Sequence, residues 1–368
     1  MRAGAPKPVV IAAGGTGGHF FPAEALAAEL LARGERVVLI TDARSGGLAS
    51  PVFARAERHV VSGAGLSGRG AKRAVQGAMQ LLRGVFEARG LLRQLRPSAV
   101  VAFGGYPSVP PVLAAATMLF GRPRVILHEQ NAVLGRANRL LARFADVLAL
   151  NFANTKFVSR RMKTRVLGNP VRQPIAALYG ESYAPPEGRI ELLVLGGSLG
   201  AKVFGTLIPE ALARLPAALR ARLHVTQQCR VEEIEAARQV FKLAGIAAEL
   251  SPFFTDVAAL LAKAHLVIAR AGASTVAEVA VAGRPAVFIP LPSAIDDHQR
   301  ANADALAAAG GAWRLDQAGL TPDILAEKIE TLLMDTDALI NAAVVCARAG
   351  RVDAAARLAD LVQKGTVA

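Results

Sequence analysis

Only two cysteines, Cys229 and Cys346, occur in 368 residues. They cannot form a disulfide framework, so the chain reads as one kept in a reducing compartment. Aromatic residues are scarce, at 5% with a single Trp. That leaves little for the stacking platforms on which single-stranded nucleic acids are held. No apolar run suits a bilayer. The longest, Val109 to Phe120, holds two prolines and a threonine and falls short of the about 20 residues a span requires. The basic N-terminus runs through Val9-Val10-Ile11 straight into Gly-rich sequence, unlike the apolar core of a signal peptide. A cytoplasmic protein is expected. No Cys/His cluster has zinc spacing.

What the chain does have is core-forming material and a lopsided charge. Hydrophobic residues make up 52% and charged residues 20%, which excludes disorder as the dominant state. The length favours two domains. Lys and Arg number 43 against 29 Asp and Glu, for a net charge of +14. Residues 1–170 carry 24 Lys and Arg against 8 Asp and Glu; residues 171–368 carry 19 against 21. An Arg-favouring genome explains part of the excess but not its confinement to one half. The basic half is expected to face a polyanion, either nucleic acid or an anionic membrane surface.

Short apolar runs alternate with helical patterns. Val9–Ala13, Arg36–Thr41, Val100–Phe103, Val125–Leu127 and Val147–Leu150 read as strands in the first half. Glu191–Leu195, Leu223–Thr226, Leu266–Ala269 and Ala286–Pro290 do so in the second. Continuously apolar strands between helices imply parallel sheets covered on both faces. A rough repeat supports two similar halves: a strand entering a Gly-rich turn, and later a strand, a Gly turn, a helix and Gly-Arg-Pro, at residues 121–123 and again at 283–285. Prolines gather between Val166 and Gly188. The division expected is 1–168, 169–340 and a tail at 341–368 whose helix returns to the N-terminal domain.

A strand feeding a Gly-rich turn into a helix makes an anion site, because ligands reach the backbone and meet unpaired N–H groups. Gly14–Gly18, Gly104-Gly105-Tyr106 and Gly196–Gly200 all fit. None is a P-loop, and none has the full dinucleotide spacing. Together they point to a phosphate-bearing ligand.

Six segments occur in order: Ala13-Gly14-Gly15-Thr16-Gly17-Gly18-His19, Gly104-Gly105-Tyr106-Pro107-Ser108, His128-Glu129-Gln130-Asn131, Gly168-Asn169-Pro170-Val171-Arg172, Gly196-Gly197-Ser198-Leu199-Gly200-Ala201 and Gly272-Ala273-Ser274-Thr275-Val276-Ala277-Glu278. This order resembles the bacterial peptidoglycan glycosyltransferases of the MurG family (glycosyltransferase family 28), across nearly the whole chain. The resemblance implies the glycosyltransferase B fold, an α/β architecture of two Rossmann-like doubly wound parallel-sheet domains with an interdomain cleft. It implies inverting transfer of N-acetylglucosamine from UDP-N-acetylglucosamine to lipid I, the undecaprenyl-diphosphate-linked N-acetylmuramoyl-pentapeptide. The products are lipid II and UDP. No cofactor or metal is required in that reading.

By the same resemblance, the acceptor diphosphate sits at Gly14, Gly15, Gly104, Gly105 and Tyr106. Thr16, Gly17, Gly18 and Asn131 reach the donor sugar, and Arg172 pairs with the donor diphosphate. Ser198 holds a phosphate and Phe254 lies against uracil. The turn of Ala273, Ser274, Thr275, Val276, Ala277 and Glu278 embraces the nucleotide, with Glu278 accepting from both ribose hydroxyls, as a carboxylate suits. Gln299 contacts sugar hydroxyls. His19 is the candidate general base, with an orienting role as the alternative; Glu129 is the rival base, with a buried hydrogen-bonding role beside His128 as its alternative. His298 shapes a loop. Asp335-Thr336-Asp337 spells a metal-transferase motif, yet a helix cap is the better reading. The chain departs from the family pattern at Ala271, at Gly205, at Gln227-Gln228-Cys229 and at Leu291–Ala294.

Lipid I lies in the inner leaflet, so a peripheral enzyme on the cytoplasmic face of the inner membrane is expected, with other cell-wall synthesis proteins among its partners. Lys72, Arg73 and Arg83 interleave with Val75, Met79, Leu82 and Phe86, which recur at helical steps. A basic rim around an apolar stripe suits an anionic interface, whereas an ordinary core-facing helix would bury the stripe. Competing readings are another UDP-sugar enzyme of this fold (a lipid glycosyltransferase or a non-hydrolysing epimerase), a dinucleotide-dependent oxidoreductase with Asp42 on ribose, and a nucleic-acid binder. The last lacks a binding motif, and no nucleic-acid partner is expected.

Overall fold

The computed structural model describes residues 6–14, 17–43, 50–62, 71–197 and 200–364, with only the backbone described at 71–74. The chain divides into two compact units: Met1–Arg172 together with Asp353–Ala368, and Gln173–Val352.

The first unit carries a seven-stranded sheet in the order β3-β2-β1-β4-β5-β6-β7. Its strands are β1 Val9–Ala12, β2 Val37–Thr41, β3 Glu57–Val60, β4 Ala99–Ala102, β5 Arg124–Glu129, β6 Val147–Leu150 and β7 Thr164–Val166. Every pairing is parallel. Val9 and Ile11 join one core cluster while Val10 and Ala12 join another. Both faces of the strand are therefore buried, which is why it has no polar alternation. The edge strands β3 and β7 are largely exposed. Their polar residues carry no apolar signal, and sequence reading passes over them.

The second unit repeats the plan with six strands, in the order β10-β9-β8-β11-β12-β13. These are β8 Ile190–Leu195, β9 Leu223–Gln228, β10 Ala247–Ser251, β11 Leu266–Ala269, β12 Ala286–Phe288 and β13 Ala312–Arg314. All pair in parallel. Strand β10, largely exposed at its edge, reads Ala-Ala-Glu-Leu-Ser and has no unbroken apolar run to announce it.

In each sheet the chain builds outward from a central strand and then crosses back to that strand's other side. The strand order reverses between β1 and β4, and between β8 and β11. Connections diverge there, so the carboxyl ends of those strands leave a crevice where ligands settle in open α/β sheets.

The chain's end does return to the first unit, but later than residue 341. Helix Thr336–Ala349 belongs to the second unit, and the return to the first begins only at Asp353. Asp335 caps the former helix, its side chain accepting from Ala338 N at 2.9 Å. The last helix, Ala354–Lys364, buries Leu358, Ala359 and Val362 in the first unit's core. Arg33 clamps it, donating to Asp360 at 2.7 Å, Gln363 at 2.8 Å and the Ala356 carbonyl at 3.1 Å.

Candidate active site

In the first unit, β1 ends at Ala12 and Gly14 follows buried. Gly15 and Thr16 lie outside the described residues. Gly17, Gly18 and His19 form the first turn of the helix Gly17–Ala32. Beside it, β4 runs into Gly104 and Gly105, whose φ values of +85° and +69° lie in the region only glycine enters freely. Ser108 joins the two turns: its buried hydroxyl donates to the Gly104 carbonyl at 2.8 Å and lies 3.3 Å from the Ala12 carbonyl. The His19 ring lies against this double-glycine bend. A Cβ built on Gly105 would stand 2.9 Å from His19 Cδ2. Tyr106 is part-exposed just after it.

Glu129, at the end of β5, is buried. Its Oε1 accepts from the Asn131 amide and from Asn131 Nδ2, both at 3.0 Å. Its Oε2 accepts from Gly135 N and Asn138 Nδ2, both at 2.9 Å. One carboxylate thus organises the loop between β5 and the helix Arg136–Leu141 and sets Asn131 in place. The four donors fill the hydrogen-bonding positions of this carboxylate. His128 is fully buried, and desolvation pulls its imidazole down to about 4. It is therefore neutral, with Nε2 donating to the Gly168 carbonyl at 3.0 Å and Nδ1 accepting from Gln130 Nε2 at 3.2 Å. Arg172, the last residue of this unit, stacks its guanidinium 4.4 Å from the Phe21 ring centroid.

In the second unit, β8 opens into Gly196-Gly197, while Ser198 lies outside the described residues. Gly197 and Gly200 have φ of +81° and +65°. Gln228 fastens the bend: its Oε1 accepts from Gly196 N at 3.0 Å, and its Nε2 donates to Gly197 O at 3.1 Å and Pro252 O at 3.2 Å. The same side chain thereby ties the turn to the segment carrying Phe254, which is half-buried. The departure at Gly205 also finds a cause. A Cβ there would run into the Glu233 side chain, which occupies that space.

Across the second switch point, Ala273–Ala282 is a helix. Ala273 to Glu278 thus form its first turns and not an extended turn. Gly272 at the N-cap supplies no side-chain cap, and backbone amides face the end of the sheet, as an anion site requires. Ala273, Val276 and Glu278 are buried; Ser274, Thr275 and Ala277 are half-buried. Asn302 Nδ2 holds the approach to this helix by donating to the Ala271 carbonyl at 3.0 Å. Buried Arg270 donates to the Ile289, Pro290 and Gln317 oxygens at 2.9, 3.0 and 2.7 Å. Burial lowers its guanidinium to about 10. Gln299 follows two consecutive left-handed residues, Asp296 and Asp297, with φ of +54° and +55°. Such backbone strain concentrates at functional sites. Its Oε1 accepts from Leu291 N at 3.0 Å, which turns the amide nitrogen into the hydrogen-bonding end offered elsewhere. His298 accounts for part of the loop, with Nδ1 2.8 Å from the Ile295 carbonyl.

The interleaved stripe does not enter the core. On the helix Ala71–Leu95, Val75, Met79, Leu82 and Phe86 are 59%, 64%, 59% and 72% exposed. Arg83 flanks them, paired with Glu87 at 2.8 Å. The side chains of Lys72 and Arg73 lie outside the described residues. No helix among the described residues is long and apolar enough to cross a membrane.

Sequence reading missed Asn138, Ser108 as a linker of two turns, and Gln228 as the clasp of a third. Each is a polar residue inside or after a regular element. Only their buried bonds to glycine turns or to Glu129 reveal what they do.

Residues 9–149 match the family model described as the glycosyltransferase family 28 N-terminal domain, and residues 191–358 match the family 28 C-terminal domain. A protein of Granulibacter bethesdensis is 59% identical over 98% of this chain and 94% of its own length. One of Acidiphilium cryptum is 59% identical over 98% of each chain. Both are named UDP-N-acetylglucosamine--N-acetylmuramyl-(pentapeptide) pyrophosphoryl-undecaprenol N-acetylglucosamine transferase. The crystal structure of Acinetobacter baumannii MurG superposes with a TM-score of 0.76 at 34% identity, covering 98% of this chain and 100% of that one. With both sheets doubly wound, both domain models matched in order and relatives alike from end to end, the chain belongs to glycosyltransferase family 28.

Proposed function

We infer that this chain transfers N-acetylglucosamine from UDP-N-acetylglucosamine to the C4 hydroxyl of undecaprenyl-diphosphate-linked N-acetylmuramoyl-pentapeptide, giving lipid II and UDP. The observation that carries this is the 59% identity, over 98% of the chain, with enzymes named for that transfer. The glycine bends at both switch points supply the matching chemistry.

The reaction is a single displacement at an anomeric carbon, with inversion. The first unit takes the acceptor diphosphate at Gly14, Gly15, Gly104, Gly105 and Tyr106. The second takes the nucleotide at the Gly196–Gly200 turn, at Phe254 and along Ala273–Glu278, with Glu278 on the ribose. Thr16, Gly17, Gly18, Asn131 and Gln299 bind the sugar, and Arg172 and Ser198 its diphosphate. His19 takes the proton from the acceptor hydroxyl. Its place against Gly105 supports this role, because a base must lie beside the bend that holds the acceptor. Glu129 positions Asn131 and leaves the proton transfer to His19, since its four hydrogen bonds occupy its lone pairs. Charge developing on the departing UDP is met by fixed backbone amides at helix N-termini, and this electrostatic stabilisation asks for no metal.

The enzyme works from the cytoplasmic face of the inner membrane. The exposed stripe Val75, Met79, Leu82 and Phe86, with Lys72, Arg73 and Arg83 at its rim, docks it on anionic lipid. Other cell-wall synthesis proteins are its further partners.

The test is direct. Purified protein receives UDP-N-acetylglucosamine labelled in the sugar, together with lipid I in micelles. Label should pass into the lipid extract, and chelator should leave the rate unchanged. Label that stays water-soluble as a C2 epimer would establish the epimerase reading instead.

A further inference from the structure

Arg230 lies two residues beyond the carboxyl end of β9. That strand pairs with β8 in parallel, Gln227 beside Val194, so the two strands deliver Arg230 and the Gly196–Gly200 turn to the same edge of the sheet. The side chain lies against Gly200. A Cβ on Gly200 would stand 3.1 Å from Arg230 Cγ and 3.6 Å from Nε. Nη2 is 3.5 Å from the Gly200 carbonyl. Gly200, at φ +65°, thus serves two ends: it makes the bend and leaves room for an arginine stem.

The charge on Arg230 is not spent locally. The residue is exposed, and no carboxylate pairs with it among the described residues. Glu232 is exposed, and Glu233 is turned into the start of the helix Phe204–Ala213, packed on Gly205 with one oxygen buried. A guanidinium presents a planar fork of donors that matches two oxygens of a phosphate group. A glycine bend with left-handed residues presents main-chain amides to the same kind of anion.

We propose that Arg230 is a donor-binding residue whose guanidinium closes on the diphosphate of the nucleotide-sugar held beside Gly197 and Gly200. This rests on the donor reading of the second unit given above.

Binding of UDP and of uridine is measured by calorimetry or competition for the parent, Arg230→Gln and Arg230→Lys, each checked by thermal melting. Loss of one charge-assisted contact should weaken UDP by about ten-fold in Arg230→Gln, while uridine, which has no phosphate, changes by less than about two-fold. Arg230→Lys keeps the charge without the fork and should fall between. The salt dependence of UDP binding should be shallower in Arg230→Gln, because one counter-charge has gone. UDP affinity unchanged in Arg230→Gln overturns the proposal. So does an equal loss for UDP and uridine, which would mark a distorted turn. Should Arg230→Gln fail to fold, Arg230→Lys decides, with parental UDP affinity and salt slope counting against the fork. A well-folded parent that binds neither UDP nor UDP-N-acetylglucosamine would sink the donor reading itself, a result distinct from a parent that binds and a variant that matches it.

Discussion

Gly105 and His19 share a space that admits only one side chain. With φ at +69° and the His19 ring 2.9 Å from where a Cβ would be, residue 105 has to be glycine for His19 to keep its place. Gly105→Ala should therefore cost about 1–3 kcal/mol of stability through backbone strain and crowding. It should lower kcat by more than about ten-fold as the imidazole is pushed aside. UDP binding, which the proposed function assigns mainly to the second unit, should be spared. A melting curve, a turnover assay and a UDP titration on one preparation check all three.

Glu129 and His19 separate in their pH behaviour. Glu129→Gln puts an NH2 group where donors now converge, so the loop 129–138 should loosen and activity should fall about a hundred-fold or more. The acid limb of the kcat profile should survive in that variant, because the proton acceptor is still present. In His19→Gln the residual activity should lose that limb. A Glu129 variant without an acid limb would reassign the base.

Stability should depend on pH through His128. Its folded-state value is pulled down to about 4 by burial, against about 6.5 in the unfolded chain. Above pH 6.5 both states are neutral and the group contributes no slope. As pH falls from about 6.5 towards 4, the unfolded state takes up a proton that the folded state does not, so stability decreases, by about 3 kcal/mol in all. Half-buried His265, also shifted down by desolvation, adds a slope of the same sign. Urea unfolding at pH 7.5 and 5 measures this. In His128→Gln the difference between the two should shrink.

The exposed stripe yields a prediction that leaves folding alone. Met79 and Phe86 are 64% and 72% exposed, so Met79→Ser with Phe86→Ser should change stability by less than about 0.5 kcal/mol. Sedimentation with anionic vesicles should drop several-fold, and UDP binding should stay. Charge reversal at Lys72, Arg73 and Arg83 should act likewise. Unaltered vesicle binding in both sets would remove this helix from the membrane contact.

Much was legible in the chain. The buried strands announced themselves because burial on both faces demands unbroken apolar runs, as in Val9–Ala12 and Leu266–Ala269. Glycines before helices marked the bends because a residue without Cβ adopts φ near +70° at no steric cost and lets an anion reach the backbone. The repeat of that arrangement, and the order of the six motifs, identified the family.

Tertiary structure decided the rest. Whether Val75, Met79, Leu82 and Phe86 faced core or solvent could not follow from helical spacing, since either environment accepts an apolar stripe. Nor could spacing reveal that Glu129 has four donors, that Gln228 clasps a bend lying some 30 residues earlier in the chain, or that Arg230 rests on Gly200. Local sequence dictates which backbone shapes a segment can take, because sterics act between neighbouring residues. The partners of a buried polar group are chosen by parallel strands that bring distant loops to a common edge, and that choice exists only once the sheets have formed.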